Sequence, residues 1–194
     1  MQLLFADTET TGSSATDRLC QLGFHINGLE RCVLYKPPVL IKSSATYVHQ
    51  ITNDMVADKR VFQGSFEHLL FTSLQQTAVF VAHNAQYDLR MLAREGIKFA
   101  QVIDTLKVAR YLLPAGTSSS HKLQDLRQYY QLDIEAVAHD ALGDVRVMKG
   151  VFEKMMKRLL ELEAGTQQEG IRRMIEITRG TRSSPKQPKW RPAR

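Results

Sequence analysis

Two carboxylates follow a short apolar run near the N-terminus, in the stretch QLLFADTETTG. Residues two positions apart on an extended strand face the same side, so Asp7 and Glu9 would lie within several ångströms of each other. Such close like charges are difficult to ionise together unless something compensates them. A divalent cation would do so, and Mg²⁺ and Mn²⁺ prefer oxygen ligands. A D-x-E taken alone favours the alternative of two solvated acids at a frayed strand end.

A further acid, Asp88, lies in the stretch VAHNAQYDLRML. It follows four residues after Asn84, which we predict to be the N-cap of a helix over residues 85–95. A short turn from the preceding strand into this helix would hold the carboxylate near the end of the sheet. The alternative is an acid in the first turn of a helix, stabilised there by the helix dipole.

The stretch HDALGDVRVM adds a histidine and another acid, His139 and Asp144. On one helix these two residues would be separated by roughly 140° and would not share a face. Both can approach one site only if His139 precedes the helix and Asp144 lies in its first turns. A histidine beside a metal-bound carboxylate is suited to act as a general base. The alternative is a surface histidine and an acid that interacts with the helix dipole.

The pattern along the chain predicts the elements that must position these residues. Residues 2–6 and the apolar run TAVFVA at 77–82 indicate strands, and Asn27-Gly28 indicates a hairpin turn. A strand meander followed by strand–helix–strand–helix predicts an α/β fold with a mixed sheet, antiparallel on one side and parallel on the other. The stretch through Ser43 and Ser44 is predicted to be a loop. Further strands are predicted around residues 30–36 and 99–103, and helices around 52–57, 64–75, 105–112, 122–130 and 140–163.

Length and composition indicate one globular domain. The chain has 194 residues, of which 43% are hydrophobic and 24% charged. It contains no run of about 18 apolar residues and no secretory pattern at its start, so we expect a cytoplasmic protein that does not interact with membranes. Cys20 and Cys32 form no disulfide or metal motif, which is consistent with a reducing compartment. Each is predicted to be a small core residue.

The positive charge is concentrated at the C-terminus. Residues 171–194 contain eight Lys or Arg and one acid, whereas residues 1–170 are nearly neutral, and the net charge of the chain is +6. The segment 179–194 contains three prolines and few aliphatic side chains, so we expect a disordered tail. Trp190 between Lys189 and Arg191 could hold phosphates while it stacks on a base. The alternative is a tail that only increases solubility.

Taken together, DTETTG, HNAQYD and HDALGD resemble the three motifs of the DEDDh, or DnaQ-like, family of 3′–5′ exonucleases. Two further stretches, YVHQITNDMVADK and TLKVARYLLPAG, are most similar to the bacterial exonuclease X type within that family. The resemblance extends over about residues 2–163 and more weakly to 180. It implies a ribonuclease H-like fold with a mixed five-stranded sheet flanked by helices. We therefore expect an exonuclease domain over residues 1–178, followed by the basic tail 179–194.

The resemblance also implies the activity and the residues that perform it. It implies hydrolysis of terminal phosphodiesters from a 3′ end, with release of nucleoside 5′-monophosphates and with single-stranded DNA favoured over RNA. A homodimer, or an association with replication or repair proteins, is left open. His139 would be the general base. Two divalent cations, Mg²⁺ or Mn²⁺, would be bound by Asp7, Glu9, Asp88 and Asp144, and substrate would be contacted by Thr10, His49, Asn84 and Tyr87.

Two other classes of protein are compatible with parts of the sequence. The dipeptide His139-Asp140 also occurs in HD-type metal phosphohydrolases, but their scaffold is entirely helical, and the predicted hairpin and buried strand argue against it. A binding module with the same fold and no chemistry would normally lack one of the ligands. All five expected side chains are present here, which favours the enzyme.

Overall fold

A computed structural model gives the fold and describes residues 1–113, 120–136 and 140–180. Five strands form one mixed sheet in the order β3-β2-β1-β4-β5. The strands are β1 Gln2–Thr10, β2 Leu19–Ile26, β3 Leu29–Leu34, β4 Ala78–Ala82 and β5 Gln101–Asp104. The helices are α1 Ser43–His49, α2 Asn53–Val56, α3 Phe66–Leu74, α4 Gln86–Arg94, α5 Thr105–Leu112, α6 Leu123–Tyr129, α7 Ala141–Glu163 and α8 Gln167–Arg179.

The predicted mixed sheet is confirmed. Strands β1, β2 and β3 form an antiparallel meander, and β1, β4 and β5 are parallel to one another. The hairpin between β2 and β3 turns at Asn27 and Gly28, whose φ angles are 48° and 84°. Two consecutive positive φ angles are characteristic of the type I′ turn, which Asn-Gly favours. The strand meander therefore follows from local sequence.

The first strand is longer than predicted, and this lengthening places the acidic motif inside it. The pairing of β1 with β4 covers Gln2 to Phe5, whereas the pairing with β2 continues to Thr10. Asp7 and Glu9 therefore lie where β1 extends beyond its parallel neighbour. In open α/β sheets, ligands bind at the carboxyl ends of parallel strands, and this is such a position.

Two helices were not predicted, and one predicted cap is wrong. The segment expected to be a loop at Ser43 and Ser44 begins α1. Helix α8 begins after Thr166, which forms a capping box with Glu169, and this T-x-x-E pattern is the sequence signal for it. Asn84 does not cap α4, because Ala85 precedes the helix and Asn84 has a left-handed φ of 64°.

Helix α7 crosses one face of the sheet and contributes much of the core. Its buried residues recur with the predicted helical period, and the Phe152 ring packs edge-to-face on Phe5 with centroids 5.2 Å apart. On the other side of the core, Phe24 packs edge-to-face against Phe71 of α3. The buried position predicted for Cys20 is confirmed, but that for Cys32 is wrong, because β3 is the edge strand and leaves the thiol exposed.

Helix α8 ends the described part of the chain. It terminates at Arg179, with Gly180 in the left-handed conformation beyond it. The predicted tail falls almost entirely on residues 181–194, which lie outside the described residues. Among the helices that the structure describes, none combines the length and apolar character needed to cross a bilayer.

Candidate active site

Three of the predicted metal ligands converge. Asp7, Glu9 and Asp144 each place one carboxylate oxygen within 4.8 Å of those of the other two. Oxygen ligands around an octahedral Mg²⁺ lie about 3–4 Å apart, so small side-chain adjustments would bring all three onto one cation. Residues from the first strand and from a helix more than 130 positions later thus form one acidic cluster.

The N-terminus of α7 is held against the sheet, which positions Asp144. Asp140 caps this helix by accepting a hydrogen bond from the Gly143 N–H (3.0 Å), and the Ala141 N–H donates to the Gln21 side chain (3.2 Å). Gly23 of β2, which pairs directly with Asp7, lies beneath this helix start. A Cβ at Gly23 would lie only 2.4 Å from the Ala141 carbonyl carbon. The absence of a side chain therefore allows the helix to begin directly over β2.

Asp88 adjoins this group but is fixed by a different element. Its carboxylate is buried, and Oδ1 accepts hydrogen bonds from the Thr8 N–H (3.0 Å) and the Thr8 hydroxyl (2.7 Å). The first turn of α4 is therefore tied to the middle of the acidic motif in β1. Asp88 is not one of the three acids whose oxygens lie within 4.8 Å of one another.

The acids are costly to ionise together. Burial, followed by repulsion from Asp88 and Glu9, raises the pKa of Asp7 well above its usual range. Burial, followed by repulsion from Asp144 and Asp88, raises the pKa of Glu9 to about 8. Burial also raises the pKa of Asp88, although its hydrogen bonds from Thr8 oppose the shift. Such a cluster needs protons or a cation as compensation, and its all-oxygen ligands fit a hard divalent ion.

Three of the four predicted substrate contacts form one hydrogen-bonded group at the end of β1. The hydroxyls of Thr10 and Tyr87 lie within hydrogen-bonding distance of each other and of the Gly12 carbonyl oxygen. The Nδ1 atom of His49 accepts from the Ile51 N–H (3.0 Å), so the neutral ring carries its proton on Nε2 and donates to the Thr10 carbonyl (3.1 Å). The group thus shapes the backbone immediately after Glu9.

The fourth predicted contact, Asn84, is exposed and stands apart from that group. Its backbone N–H donates to Asp104 Oδ1 (3.1 Å), and the same carboxylate oxygen caps α5 by accepting from the Leu106 N–H. Asp104 is thus the N-cap of α5, the helix that was predicted around residues 105–112. The predicted general base, His139, lies outside the described residues.

Two polar residues near the site were not predicted. The Gln124 side chain of α6 donates to Asp144 Oδ1 (2.9 Å). Asp17, in the loop after β1, is buried and accepts from Lys42 Nζ (2.6 Å), from Ser14 and from Thr11. Burial alone would raise the pKa of Asp17, but these donors hold it well below its usual range. Thr11 and Ser14 belong to the same loop as Asp17, whereas Lys42 comes from a separate segment, so the complete set of donors is visible only in the folded structure.

Comparison with known proteins places the chain in a family. The family model described as exonuclease matches residues 4–152. The DNA polymerase III subunit epsilon of Treponema pallidum is 30% identical over 162 residues, which cover 77% of this chain and 74% of the relative. The chain belongs to the exonuclease family. More particularly, it is a DnaQ-like 3′–5′ exonuclease, as its motifs predict.

A further relative and a solved structure show how much of each protein the similarity covers. The DNA polymerase III subunit epsilon of Buchnera aphidicola from Acyrthosiphon pisum is 32% identical over 133 residues, and the match spans only 55% of that protein. Among solved structures, exonuclease X in complex with 5′ overhanging duplex DNA matches with a TM-score of 0.65 and 24% identity, covering 91% of this chain and 99% of that one. The ribonuclease H-like fold is thus confirmed.

Proposed function

We propose that the protein removes nucleotides from the 3′ ends of DNA with the help of two divalent cations, Mg²⁺ or Mn²⁺, and releases nucleoside 5′-monophosphates. The convergence of Asp7, Glu9 and Asp144 within 4.8 Å is the observation that carries this proposal. Membership in the exonuclease family supplies the class of reaction. Bound cations would compensate the charge of the carboxylates, whose pKa values are raised by burial and mutual repulsion.

Each acid has a distinct part in this proposal. Asp7, Glu9 and Asp144 would be direct ligands, and Asp88, from α4, would complete the set. Thr8 orients the Asp88 carboxylate through its backbone N–H and its hydroxyl. When bound, a pair of metal ions stabilises both the attacking and the leaving oxygen of a phosphodiester and lowers the pKa of a bound water.

His139 is the proposed general base. It directly precedes Asp140, the residue that caps α7, and it stands five positions before Asp144. This position in the chain, next to the helix that carries Asp144, makes His139 the candidate for the base. The histidine would take a proton from the attacking water, a contribution of about 10²–10⁴-fold to the rate.

The proposed substrate is single-stranded DNA, with RNA the weaker alternative. The relatives named as subunits of DNA polymerase III, and the complex of exonuclease X with 5′ overhanging duplex DNA, support the choice of DNA over RNA. Thr10, Tyr87 and the end of β1, which His49 contacts, would form the surface that binds the terminal nucleotide. Asn84 would add a separate contact from the turn after β4. The same relatives support an association with a replicative polymerase, and a homodimer is the other assembly to test.

The test uses single-stranded DNA and RNA labelled at the 5′ end, incubated with the protein and Mg²⁺ or Mn²⁺. We expect a ladder that shortens from the 3′ end, with nucleoside 5′-monophosphates as products. Asp7→Asn and Asp144→Asn should each abolish the ladder, because each removes a ligand charge. Asp58→Asn, at an exposed acid paired only with its neighbour Lys59, is the matched control and should leave the ladder unchanged. Internal cleavage, or equal activity of Asp7→Asn and the parent, would contradict the proposal.

A further inference from the structure

A cavity of about 610 Å³ adjoins the acidic cluster on the side away from β2. It lies between the turn that follows β4, helix α5 and the start of α6, and Asp144 forms part of its wall. Gln124 also lines the cavity and donates its side-chain N–H to Asp144. The cavity and the acidic cluster therefore share a wall, and a molecule that fills one would contact the other. Its size is within the range of ligand-binding pockets.

The charges on the cavity wall favour an anion. Arg110 and Lys122 are both exposed along it, and neither side chain has a hydrogen bond or ion pair within the described part of the chain. Among the described residues of this wall, the acid besides Asp144 is Asp125, which accepts a hydrogen bond from the Ser120 hydroxyl. Two cationic groups are thus available to a ligand next to a site where the other charges are negative.

A half-buried histidine and two leucines form another part of the wall. The His83 ring uses Nε2 to donate to the His121 carbonyl (3.0 Å), and its Nδ1 lies 2.9 Å from the Thr105 hydroxyl. Burial lowers the pKa of His83, so this ring adds no charge at neutral pH. Leu106 and Leu123 supply apolar surface. Cationic groups beside apolar surface match the two parts of a nucleotide, its phosphate and its sugar and base.

We propose that this cavity binds the nucleic-acid strand beside the scissile phosphodiester. Arg110 and Lys122 contact backbone phosphates of the strand, and Leu106 and Leu123 contact the sugar or base of the nucleotide between them. This inference rests on the proposed function, because it assigns the cavity to the substrate of that reaction. It also assigns the task of phosphate binding to the body of the protein, whose overall charge is nearly neutral.

The test measures binding of a fluorescent single-stranded DNA to the full chain by anisotropy, without divalent metal and over a series of salt concentrations. Arg110→Gln and Lys122→Gln should each raise Kd by about tenfold, because a charge-assisted hydrogen bond is lost. The double variant should reduce the salt slope by about 1.4, since each phosphate contact to a single strand contributes about 0.7. The KM for the same DNA should rise in parallel with Kd.

Lys157→Gln and Arg172→Gln are the matched controls. They remove the same charges from exposed positions, and Lys157 lies 13 residues along α7 from Asp144, about 20 Å away. The Kd and salt slope of the controls should remain close to those of the parent. If the Arg110 and Lys122 variants change Kd and slope no more than these controls do, the inference is wrong.

The binding measurement separates this inference from the proposed function. If the parent binds DNA through Arg110 and Lys122 but releases no nucleotides with Mg²⁺ or Mn²⁺, the proposed function fails and the binding site stands. If the parent digests DNA but binding is insensitive to both residues, the binding site fails and the exonuclease stands. Thermal unfolding of each variant checks that the exposed substitutions leave the fold intact.

Discussion

At the scale of single residues, the stability of the folded protein depends on whether the charges of the acidic cluster are neutralised by protons or by a cation. Asp7, Glu9 and Asp88 all have pKa values raised mainly by burial. The folded protein without metal therefore binds more protons than the unfolded chain at neutral pH. Its stability must then fall as the pH rises, because deprotonation is easier in the unfolded state. A bound cation would oppose this loss of stability, because it favours the deprotonated carboxylates of the folded state.

This coupling predicts the pH dependence of the metal-free protein. For Glu9 the stabilising contribution is complete below its ordinary pKa of 4.5 and is lost as the pH rises towards its folded-state pKa of about 8. In a chelator, the midpoint of thermal unfolding should fall by at least about 4 °C between pH 5 and pH 8.5. Added Mn²⁺ should raise the midpoint more at pH 8.5 than at pH 5. Scanning calorimetry at both pH values measures this, and a midpoint independent of pH in chelator would contradict it.

The proposed general base makes a separate prediction. His139→Ala should lower the turnover number by about 10²–10⁴-fold, because the attacking water loses its proton acceptor. The variant should keep its stabilisation by Mn²⁺, since the carboxylates remain in place. Single-turnover digestion and thermal unfolding with and without Mn²⁺ measure the two effects. His68→Ala is a suitable control, because the His68 ring lies near the Glu95 carbonyl, away from the acidic cluster. Full activity of His139→Ala would remove the imidazole from the mechanism.

At the scale of elements, the site depends on how closely α7 approaches β2. The Ala141 backbone lies where a Cβ of Gly23 would be, and this contact sets the position of Asp144 relative to Asp7. A backbone atom cannot move aside as the end of a side chain can. The glycine is therefore required by the spacing between two elements and not by its own φ angle.

Gly23→Ala should consequently damage both stability and catalysis. The added methyl group would push the start of α7 away from the sheet, at a cost of about 1–3 kcal/mol, and would move Asp144 away from the other two acids. We expect a lower unfolding midpoint and a weaker affinity for Mn²⁺. Gly165→Ala is the control, because the atoms nearest to its Cβ would all belong to the Glu169 side chain, whose end can move aside. Equal metal affinity in Gly23→Ala and the parent would show that the helix tolerates the displacement.

At the scale of the whole molecule, positive charge is separated from the catalytic domain along the chain. The nearly neutral body carries the acidic cluster, and most of the excess of basic residues lies in the last 24 positions. Helix α8 belongs structurally to the body, because the Thr178 hydroxyl accepts the Asp104 N–H (2.9 Å) and the Lys107 ammonium donates to the Thr178 carbonyl. A truncation must therefore keep Gly180, which ends this helix.

Deletion of residues 181–194 tests the tail. If its cations and Trp190 hold DNA, the deletion should raise KM and flatten the dependence of KM on salt, while the unfolding midpoint stays the same. A second variant that keeps the length but replaces Lys186, Lys189 and Arg191 with Gln distinguishes charge from length. An unchanged salt slope in both variants would leave the tail with a solubilising role only.

The sequence by itself determined the class of the protein, the mixed sheet with its antiparallel and parallel sides, and the identity of the acidic residues. These depend on local properties: period-two and period-3.6 patterns, the Asn-Gly turn, and motifs of fixed spacing. It did not identify Ala85 as the residue before α4, because Asn84 has the local preference of an N-cap but adopts a left-handed conformation in the fold. It also did not predict α1, because the Ser43-Ser44 pair is locally typical of a loop.

Only the tertiary structure decided the distances. That Asp7, Glu9 and Asp144 come within 4.8 Å, that Thr8 fixes Asp88, and that both ring nitrogens of His49 bind backbone groups are facts about segments far apart in the chain. Contacts of this kind depend on how the helices pack against the sheet, as α7 does at Gly23. No local sequence pattern encodes that packing. The sequence therefore shows which carboxylates are present, and the packing of the elements brings them together.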